Sequence, residues 1–132
     1  SQHWRGIVTR NRMSAKKAGS SFERAQADWL AERLNDDRID RRVKTGAKDR
    51  GDIAGVRIPG GRVVIEVKDY GGRILAAEWI AEAHTEAAND DAAVGVVMAK
   101  RRGTTDPSKQ WVLMTVDDFA ILIGAEPRNG GV

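Results

Sequence analysis

One stretch, residues 51–70, constrains the fold more than any other part of the chain. It holds two runs of β-type residues, 52–58 and 62–68, separated by a Pro-Gly-Gly segment at 59–61. Proline and glycine favour tight turns, so the two runs predict a β-hairpin. The second run is apolar on both faces over residues 63–65, which is typical of a central strand that is covered on both sides.

The register of this hairpin is predicted to place three charged residues on one face. With a three-residue turn, Asp52 lies opposite Lys68 and diagonal to Glu66, with Cβ atoms on the order of 5 and 7 Å away. Two carboxylates at that separation can share one divalent cation. Side chains alternate along a strand, so the other face is predicted to be buried. That face holds Val63, Ile65 and Val67.

Two interpretations of these charges remain open. Asp52 and Lys68 can form a cross-strand ion pair at the end of the sheet, which contributes little stability where it is exposed. Alternatively, the charges bind an ion or a ligand, because charged groups at the end of a buried strand need a partner. The apolar run just before Glu66 favours the second interpretation.

The same hairpin resembles the catalytic motif of the PD-(D/E)XK nuclease superfamily. In that motif an acidic residue is followed, after a spacer, by Glu-x-Lys on the next strand. The matching residues here are Asp52 and the segment Glu66-Val67-Lys68, while Gly51 stands where the motif has proline. The departure at Gly51 removes no ligand.

Two segments upstream extend the resemblance. Residues 17–24 join a Gly-Ser segment to Glu23 at the start of a predicted helix, and residues 46–52 form a basic loop that leads into Asp52. Both are similar to segments of archaeal-type Holliday junction resolvases and their phage and bacterial relatives. The resemblance covers about residues 16–115.

The resemblance implies a metal-dependent DNA endonuclease that hydrolyses phosphodiesters, most similar to a structure-specific resolvase acting on four-way junctions. A restriction or repair-type endonuclease of the same superfamily is the alternative within the nuclease class. A DNA-binding module without catalysis, built on the same scaffold, is the alternative from a different class. The intact Asp, Glu and Lys set favours a nuclease.

Carboxylates are hard oxygen ligands that suit Mg²⁺, with Mn²⁺ as a substitute. Asp52 and Glu66 are therefore the predicted metal ligands, and the resemblance implies the backbone carbonyl of Val67 as a further ligand. Lys68 is expected to position or deprotonate the attacking water, or to stabilise charge on the phosphate. The neighbouring carboxylates oppose the lowered pKa that Lys68 would need as a base.

Glu23 also has two interpretations. It lies three residues after Ser20, which is the spacing of a capping box at the start of a helix predicted over residues 20–35. It also shares a helical stripe with Leu30 and Leu34, which we expect to face the core. On that stripe Glu23 would lie beside the hairpin carboxylates as a further catalytic residue and metal ligand.

Basic and acidic residues occupy different parts of the chain. The net charge is only +3, but residues 1–24, 38–50 and 100–109 are basic, whereas residues 78–91 contain five acidic residues and no Lys or Arg. This separation indicates a basic side that faces a polyanion such as DNA, although ordinary solubilising charge gives the same composition. The predicted phosphate contacts are Lys16, Lys17, Ser20, Arg24, Lys48, Arg50, Arg101 and Arg102.

The periodicity of the whole chain predicts an α/β fold in the order αβββαββα, with a mixed β-sheet flanked by helices. By resemblance this is a restriction-endonuclease-like core. The predicted domain covers residues 16–125, after a disordered basic arm at 1–15 and before a tail at 126–132. The other predicted elements are a strand at 39–43, a helix at 74–89, buried strands at 93–100 and 110–115, and a short helix between Thr115 and Gly124.

Two absences narrow the class of protein. The chain has no cysteine, which excludes disulfides, thiolate catalysis and cysteine-based zinc sites. It has no apolar run long enough to span a membrane and no signal-peptide pattern. We therefore expect a cytoplasmic protein associated with DNA.

Resolution of a four-way junction requires two symmetric nicks. The chain supplies one Asp, Glu and Lys set, so we expect a homodimer with two-fold symmetry. Residues that belong either to its contact surface or to the core are Trp79, Trp111, Phe119 and Ile123. His84 borders the apolar line of the second helix, where it either packs internally or reaches substrate.

Overall fold

A computed structural model describes residues 2–44 and 46–128, with side chains described from Lys17 onward. Its helices are α1 (Gln2–Arg33), α2 (Ala76–Asn89) and α3 (Val116–Leu122), with a 3-10 turn at Pro107–Lys109. Its strands are β1 (Asp40–Arg41), β2 (Ile53–Ala54), β3 (Arg57–Ile58), β4 (Gly61–Lys68), β5 (Val94–Ala99) and β6 (Trp111–Leu113). Since β2 and β3 divide one predicted strand, the predicted order of elements is confirmed.

The strands form one mixed sheet in the order β1-β2-β4-β5-β6, with β3 also paired to β4. Only β4 and β5 are parallel, and α2 supplies the crossover that two parallel neighbours require. The other pairs are antiparallel. A mixed sheet of six strands flanked by helices confirms the α/β class.

The central strand β4 is buried on both faces, as the sequence predicts. Ile65 packs in one cluster with Ala27 of α1 and Ile121 of α3. Its neighbour Val64 packs with Ala87 of α2 in another cluster. Because successive side chains of a strand point to opposite faces, α1 and α3 cover one face of β4 and α2 covers the other.

The hairpin turn is shorter than predicted. Ile58 pairs with Gly61 and Arg57 pairs with Arg62, so residues 59–60 alone form the turn. A two-residue connection is the commonest way to join antiparallel strands in a hairpin. Here it consists of Pro59 and Gly60, and it is followed by Gly61, whose φ of 140° favours glycine.

A glycine then shifts the register between the turn and the catalytic end of the hairpin. Ile53 pairs with Ile65, which leaves one extra residue on the first strand relative to the pairing at the turn. The extra residue lies near Gly55, whose φ of 90° favours glycine. Asp52 therefore lies beside Ile65, to whose carbonyl its N–H donates at 2.8 Å, and the predicted position opposite Lys68 is wrong.

Helix α1 begins earlier than the helix predicted over residues 20–35. Its backbone runs from Gln2 through the region interpreted as a disordered arm. Ser20 therefore lies inside the helix, where it is not an N-cap residue, and the capping-box interpretation of Glu23 is wrong. Residue 1 of the predicted arm, residues 129–132 of the predicted tail and the side chain of Lys16 lie outside the described residues.

None of the helices in the described ranges combines the length and the apolar composition needed to cross a membrane.

Candidate metal centre

Three carboxylates from separate parts of the fold converge on the α2 side of the sheet. Asp49 comes from the loop before β2, Glu66 from β4 and Glu86 from α2. One oxygen of each lies within 4.8 Å of an oxygen of the other two. Glu66 reaches this point because it shares the face of β4 with Val64, which α2 covers. The predicted ligand Glu66 is thus the link between the hairpin and α2.

Asp52, the other predicted ligand, is held at the edge of this cluster. Its Oδ2 accepts a hydrogen bond from the backbone N–H of Val67 at 2.8 Å, and its Oδ1 lies 3.6 Å from Nζ of Lys44. Its own carbonyl accepts from the N–H of Arg42 at 2.7 Å. The side chain is buried and its backbone is paired on both sides, so the carboxylate has little freedom to move.

Lys68 points to the same side and pairs with Glu82 of α2. The distance from Nζ to Oε2 of Glu82 is 2.8 Å, and the lysine side chain is mostly buried. Burial acts to lower the pKa of Lys68, but the hydrogen bond to Glu82 and the charge of Glu66 outweigh it, so the pKa is raised. The expected opposition of the carboxylates to a lowered pKa is confirmed.

The crowding of carboxylates raises the pKa of the two most central ones. Burial raises the pKa of Glu66, and its neighbours Asp52, Glu86 and Glu82 raise it further. Burial also raises the pKa of Glu86 to about 7, with added repulsion from Asp49. At pH values at which ordinary glutamates are already charged, both groups therefore hold a proton or need a nearby cation.

Sequence analysis missed Asp49, Glu82 and Glu86. The two glutamates follow Glu78 at intervals of four residues, which places all three on one stripe of α2. Such a stripe is the pattern of a solvated helix face, and the exposed side chain of Glu78 follows that pattern. The signal that distinguishes Glu86 is its position next to Ala83 and Ala87, the small residues by which α2 packs on the sheet.

Glu23 does not join the cluster. Its Oε1 accepts a hydrogen bond from Nε of Arg41 on β1 at 2.8 Å. Arg41 also donates to the hydroxyl of Ser20 at 3.2 Å. Leu34, the last residue of the predicted core-facing stripe, is 56% exposed and does not face the core. In the structure Glu23 joins α1 to β1 and is not one of the three mutually adjacent carboxylates.

Of the predicted DNA contacts, Lys48 and Arg50 lie next to the acidic cluster. Both are exposed and, with Arg42 and Lys44, line a surface cavity of about 300 Å³ whose wall includes Asp49. We call this cavity the basic groove. It brings cationic side chains to the rim of the carboxylate site.

The other predicted contacts have local partners in several cases. Arg24 pairs with Asp28 at 3.3 Å and with Asp40 at 2.8 Å. Arg101 stacks over the ring of Trp111, with its guanidinium carbon 4.6 Å from the ring centroid. Ser20 accepts a hydrogen bond from Arg41. Arg102 donates one to the carbonyl of Gly71 at 3.4 Å. Lys17 is exposed.

His84 and the apolar candidates also have clear positions. Nε2 of His84 lies 3.1 Å from Oδ2 of Asp118, a buried carboxylate that also accepts from the N–H of Gly95. His84 therefore packs internally, which is one of the two positions that its sequence context allowed. Trp79 is 2% exposed and contacts the ring of Tyr70, so it belongs to the core rather than to a surface. Trp111, Phe119 and Ile123 are all exposed.

No protein-family model, no curated protein and no solved structure matches this chain.

Proposed function

We propose that the chain is a metal-dependent DNA endonuclease of the PD-(D/E)XK type, built on a restriction-endonuclease-like core. The observation that carries the proposal is the placement of Asp52, Glu66 and Lys68 together at the end of a central hairpin. They lie beside the basic groove, which is suited to a phosphate backbone.

The donor set fits a hard divalent cation. Asp52 and Glu66 offer carboxylate oxygens, which Mg²⁺ and Mn²⁺ prefer, and both carboxylates are almost fully buried. Buried carboxylates without a matching number of cationic partners are costly, and a bound cation removes that cost. Asp52 and Glu66 would hold the metal, and the resemblance adds the carbonyl of Val67.

The chain's own residues have distinct tasks in this proposal. A bound divalent cation supplies polarisation of the phosphate and a lowered pKa for water. Asp52 is oriented by the N–H of Val67. Lys68 stays protonated beside Glu82, so it stabilises negative charge on the phosphate and orients water rather than accepting a proton. Lys44 adds a second cation near Asp52.

The basic groove is the main DNA-binding surface in this proposal. Lys48 and Arg50 approach phosphates on either side of Asp49, which positions a phosphodiester over the carboxylates without reading bases. Contacts from the loop that carries Arg101 and Arg102 extend the footprint, as do contacts from the exposed Lys17 on α1.

Four-way junctions are the proposed substrate, and a homodimer is the proposed active form. Two sites related by a two-fold axis match the symmetry of a junction, and each chain contributes one hairpin site. An exposed apolar surface at the sheet edge, which includes Trp111, Val112, Val116 and Phe119, is available for this contact.

The test is a comparison of cleavage on four substrates of shared sequence: a four-way junction, a flap, a linear duplex and a single strand. Paired symmetric nicks in the junction, dependent on Mg²⁺ or Mn²⁺ and lost in Asp52→Asn, are the expected result. Cleavage of linear duplex in preference to the junction replaces the resolvase assignment with a restriction or repair-type nuclease. DNA binding with no cleavage under any divalent cation replaces it with a non-catalytic module.

A further inference from the structure

Glu86 is the most unusual buried charge among the described side chains. It is 2% exposed, and neither of its carboxylate oxygens accepts a hydrogen bond from an N–H or hydroxyl donor. Its neighbour is the carboxyl of Glu66, which can donate to it only while Glu66 is protonated. None of the ion pairs among the described side chains includes Glu86; Lys44 pairs with Asp52, and Lys68 pairs with Glu82. An acceptor-only group that is buried without a donor has a large desolvation cost and needs a compensating partner.

The side chain of Glu86 is directed at two other carboxylates. Its oxygen lies within 4.8 Å of oxygens of Glu66 and Asp49. Two oxygens on opposite sides of an octahedral Mg²⁺ are about 4.2 Å apart, because each metal–oxygen bond is about 2.1 Å. Neighbouring ligands at right angles are about 3.0 Å apart, and three ligands include at least two such pairs. The three side chains must therefore move towards one another by up to about 2 Å to hold one ion.

The loop that carries Asp49 is fastened to the same face of α2. The side-chain amide of Asn89 donates to the carbonyl of Asp49 at 2.8 Å, and Asn89 lies three residues after Glu86. Oδ1 of Asp49 accepts from the N–H of Gly51, which shapes the loop and leaves Oδ2 for another partner. The position of Asp49 over Glu86 is thus set by the fold and is not a chance encounter of surface charges.

We propose that Asp49, Glu66 and Glu86 hold a divalent cation of the Mg²⁺ or Mn²⁺ class on the α2 side of Glu66, so that Glu86 is a metal ligand contributed by a helix outside the hairpin motif. The proposal rests on the proposed function in that Glu66 is shared with the Asp52 side of the centre. A shared proton is the competing occupant, and it can join two carboxylates but cannot neutralise three.

The test uses the full chain without DNA at pH 7.5, with MnCl₂ as the probe. Binding is measured by calorimetry and by the electron paramagnetic resonance of free Mn²⁺, and melting temperature is measured with and without the cation. Glu86→Gln removes the charge and keeps the shape of the side chain. Asp49→Asn removes a second carboxylate of the same site, and it does so in an exposed loop. Glu78→Gln, the same substitution on an exposed position of α2, is the matched control.

We expect Mn²⁺ at about 100 times its dissociation constant to raise the melting temperature of the wild type by on the order of 10 °C. Glu86→Gln and Asp49→Asn are expected to weaken Mn²⁺ binding at least roughly tenfold, while Glu78→Gln binds as the wild type does. Glu86→Gln without cation is also expected to melt above the wild type, because the unpaired buried charge is gone. Wild-type affinity in Glu86→Gln overturns the proposal whatever Asp49→Asn does, as does a wild type that binds no Mn²⁺.

Cleavage assays on the same proteins separate this proposal from the proposed function. Metal-dependent nicking together with unchanged Mn²⁺ binding in Glu86→Gln overturns the new ligand and leaves the nuclease standing. Mn²⁺ binding that depends on Glu86, in a protein that cuts no DNA, supports the new ligand and removes the nuclease.

Discussion

Lys68 of β4 and Glu82 of α2 form an ion pair whose nitrogen and oxygen lie 2.8 Å apart. The pair crosses from the hairpin to the helix beside the buried carboxylates. Burial alone would lower the pKa of Lys68, but Glu82 and Glu66 raise it, so the lysine enters any reaction as a cation. In the proposed nuclease it would act on the phosphate through its charge and through the water that it orients.

Loss of the hairpin charges should therefore abolish cleavage. Asp52→Asn, Glu66→Gln and Lys68→Ala are each expected to reduce Mg²⁺-dependent cleavage by roughly two orders of magnitude or more, because each removes a ligand or the cation that faces the phosphate. Binding of the four-way junction, measured by gel shift, should persist in all three variants. Turnover like that of the wild type in any one of them removes that residue from the mechanism.

Stability of the cation-free protein should fall as the pH rises. The pKa of Glu86 is raised from 4.5 to about 7, and the pKa of Glu66 is also raised, so both bind a proton more tightly in the folded chain than in the unfolded one. For both groups this contribution to stability is complete below about pH 4.5. For Glu86 it is lost as the pH passes through about 7, and for Glu66, whose pKa is raised further, the loss continues to higher pH. The free energy of unfolding, measured with a chelator present, should fall by on the order of 1–3 kcal/mol between pH 5 and 8.

The same measurement has an internal control. Glu66→Gln removes the most crowded carboxyl, so it should flatten this dependence on pH, whereas Glu78→Gln should leave it unchanged because Glu78 is exposed. A wild type whose stability is constant or increases over this range contradicts the crowding of the carboxylates. Added Mg²⁺ should restore most of the stability at pH 8.

The sequence sufficed for the scaffold of the site but not for its full set of residues. The apolar run in β4 and the turn residues predict a buried central strand next to a hairpin, and both are present. The register was wrong for two reasons: the turn has two residues and not three, and the first strand has an extra residue near Gly55. A single glycine in the sequence does not show whether it bends a strand or merely weakens it. Asp52 still meets Glu66, because both lie at the same end of the hairpin.

The missing ligands have a different cause. Asp49 sits in a loop that is basic as a whole, and Glu86 sits on a helix stripe whose first member, Glu78, is exposed. Whether such a residue is buried depends on how α2 lies across the sheet. The small neighbours Ala83 and Ala87 indicate that contact, but the acidic stripe itself does not. Glu23 was misplaced because its helix was predicted to start near Ser20, whereas α1 continues upstream and directs Glu23 to Arg41.

Glu23 should matter for stability and not for chemistry. Its ion pair with Arg41 is partly buried, so Glu23→Gln is expected to lower the free energy of unfolding by roughly 0.5–1 kcal/mol. Arg41→Gln should cost a similar amount, and the double variant should cost less than the sum of the two because they share one interaction. Cleavage under conditions where the variants stay folded should be unchanged. A strong loss of cleavage in Glu23→Gln alone would return Glu23 to the catalytic set.

Affinity for DNA should depend steeply on salt and on the basic groove. Lysine and arginine displace counterions from phosphates, so reversal of Lys48 and Arg50 to glutamate should weaken binding of all DNA sequences alike and reduce the slope against salt. Arg57→Glu, an exposed charge reversal at the turn end of the hairpin, is the control and should have a smaller effect. Affinity that does not change between 50 and 200 mM salt, roughly the range over which phosphate contacts weaken, contradicts the electrostatic footprint.

The apolar surface at the edge strand should carry the contact between two copies. We define the β6–α3 surface as Trp111, Val112, Val116 and Phe119. Val116 is 85% exposed and Phe119 is 51% exposed, and both line an apolar depression of about 500 Å³. Neighbouring exposed apolar residues at an edge strand favour association, whereas isolated ones do not require an explanation. The surface shares none of the lining residues of the basic groove, so a second copy does not cover the groove residues themselves. Its Trp111 does contact Arg101, which is a proposed DNA contact.

Sedimentation at micromolar concentration tests this contact. The wild type should have about twice the 14.4 kDa mass of one chain, and Phe119→Glu should shift it towards the single-chain mass. Leu34→Glu replaces an equally exposed apolar residue outside the β6–α3 surface and should leave the dimer intact. Paired nicking of a junction requires two sites, so the monomeric Phe119→Glu variant should make single, unpaired nicks. A wild-type mass that stays near 14.4 kDa with an equal concentration of junction DNA removes both the dimer and the resolvase, and leaves a monomeric nicking nuclease.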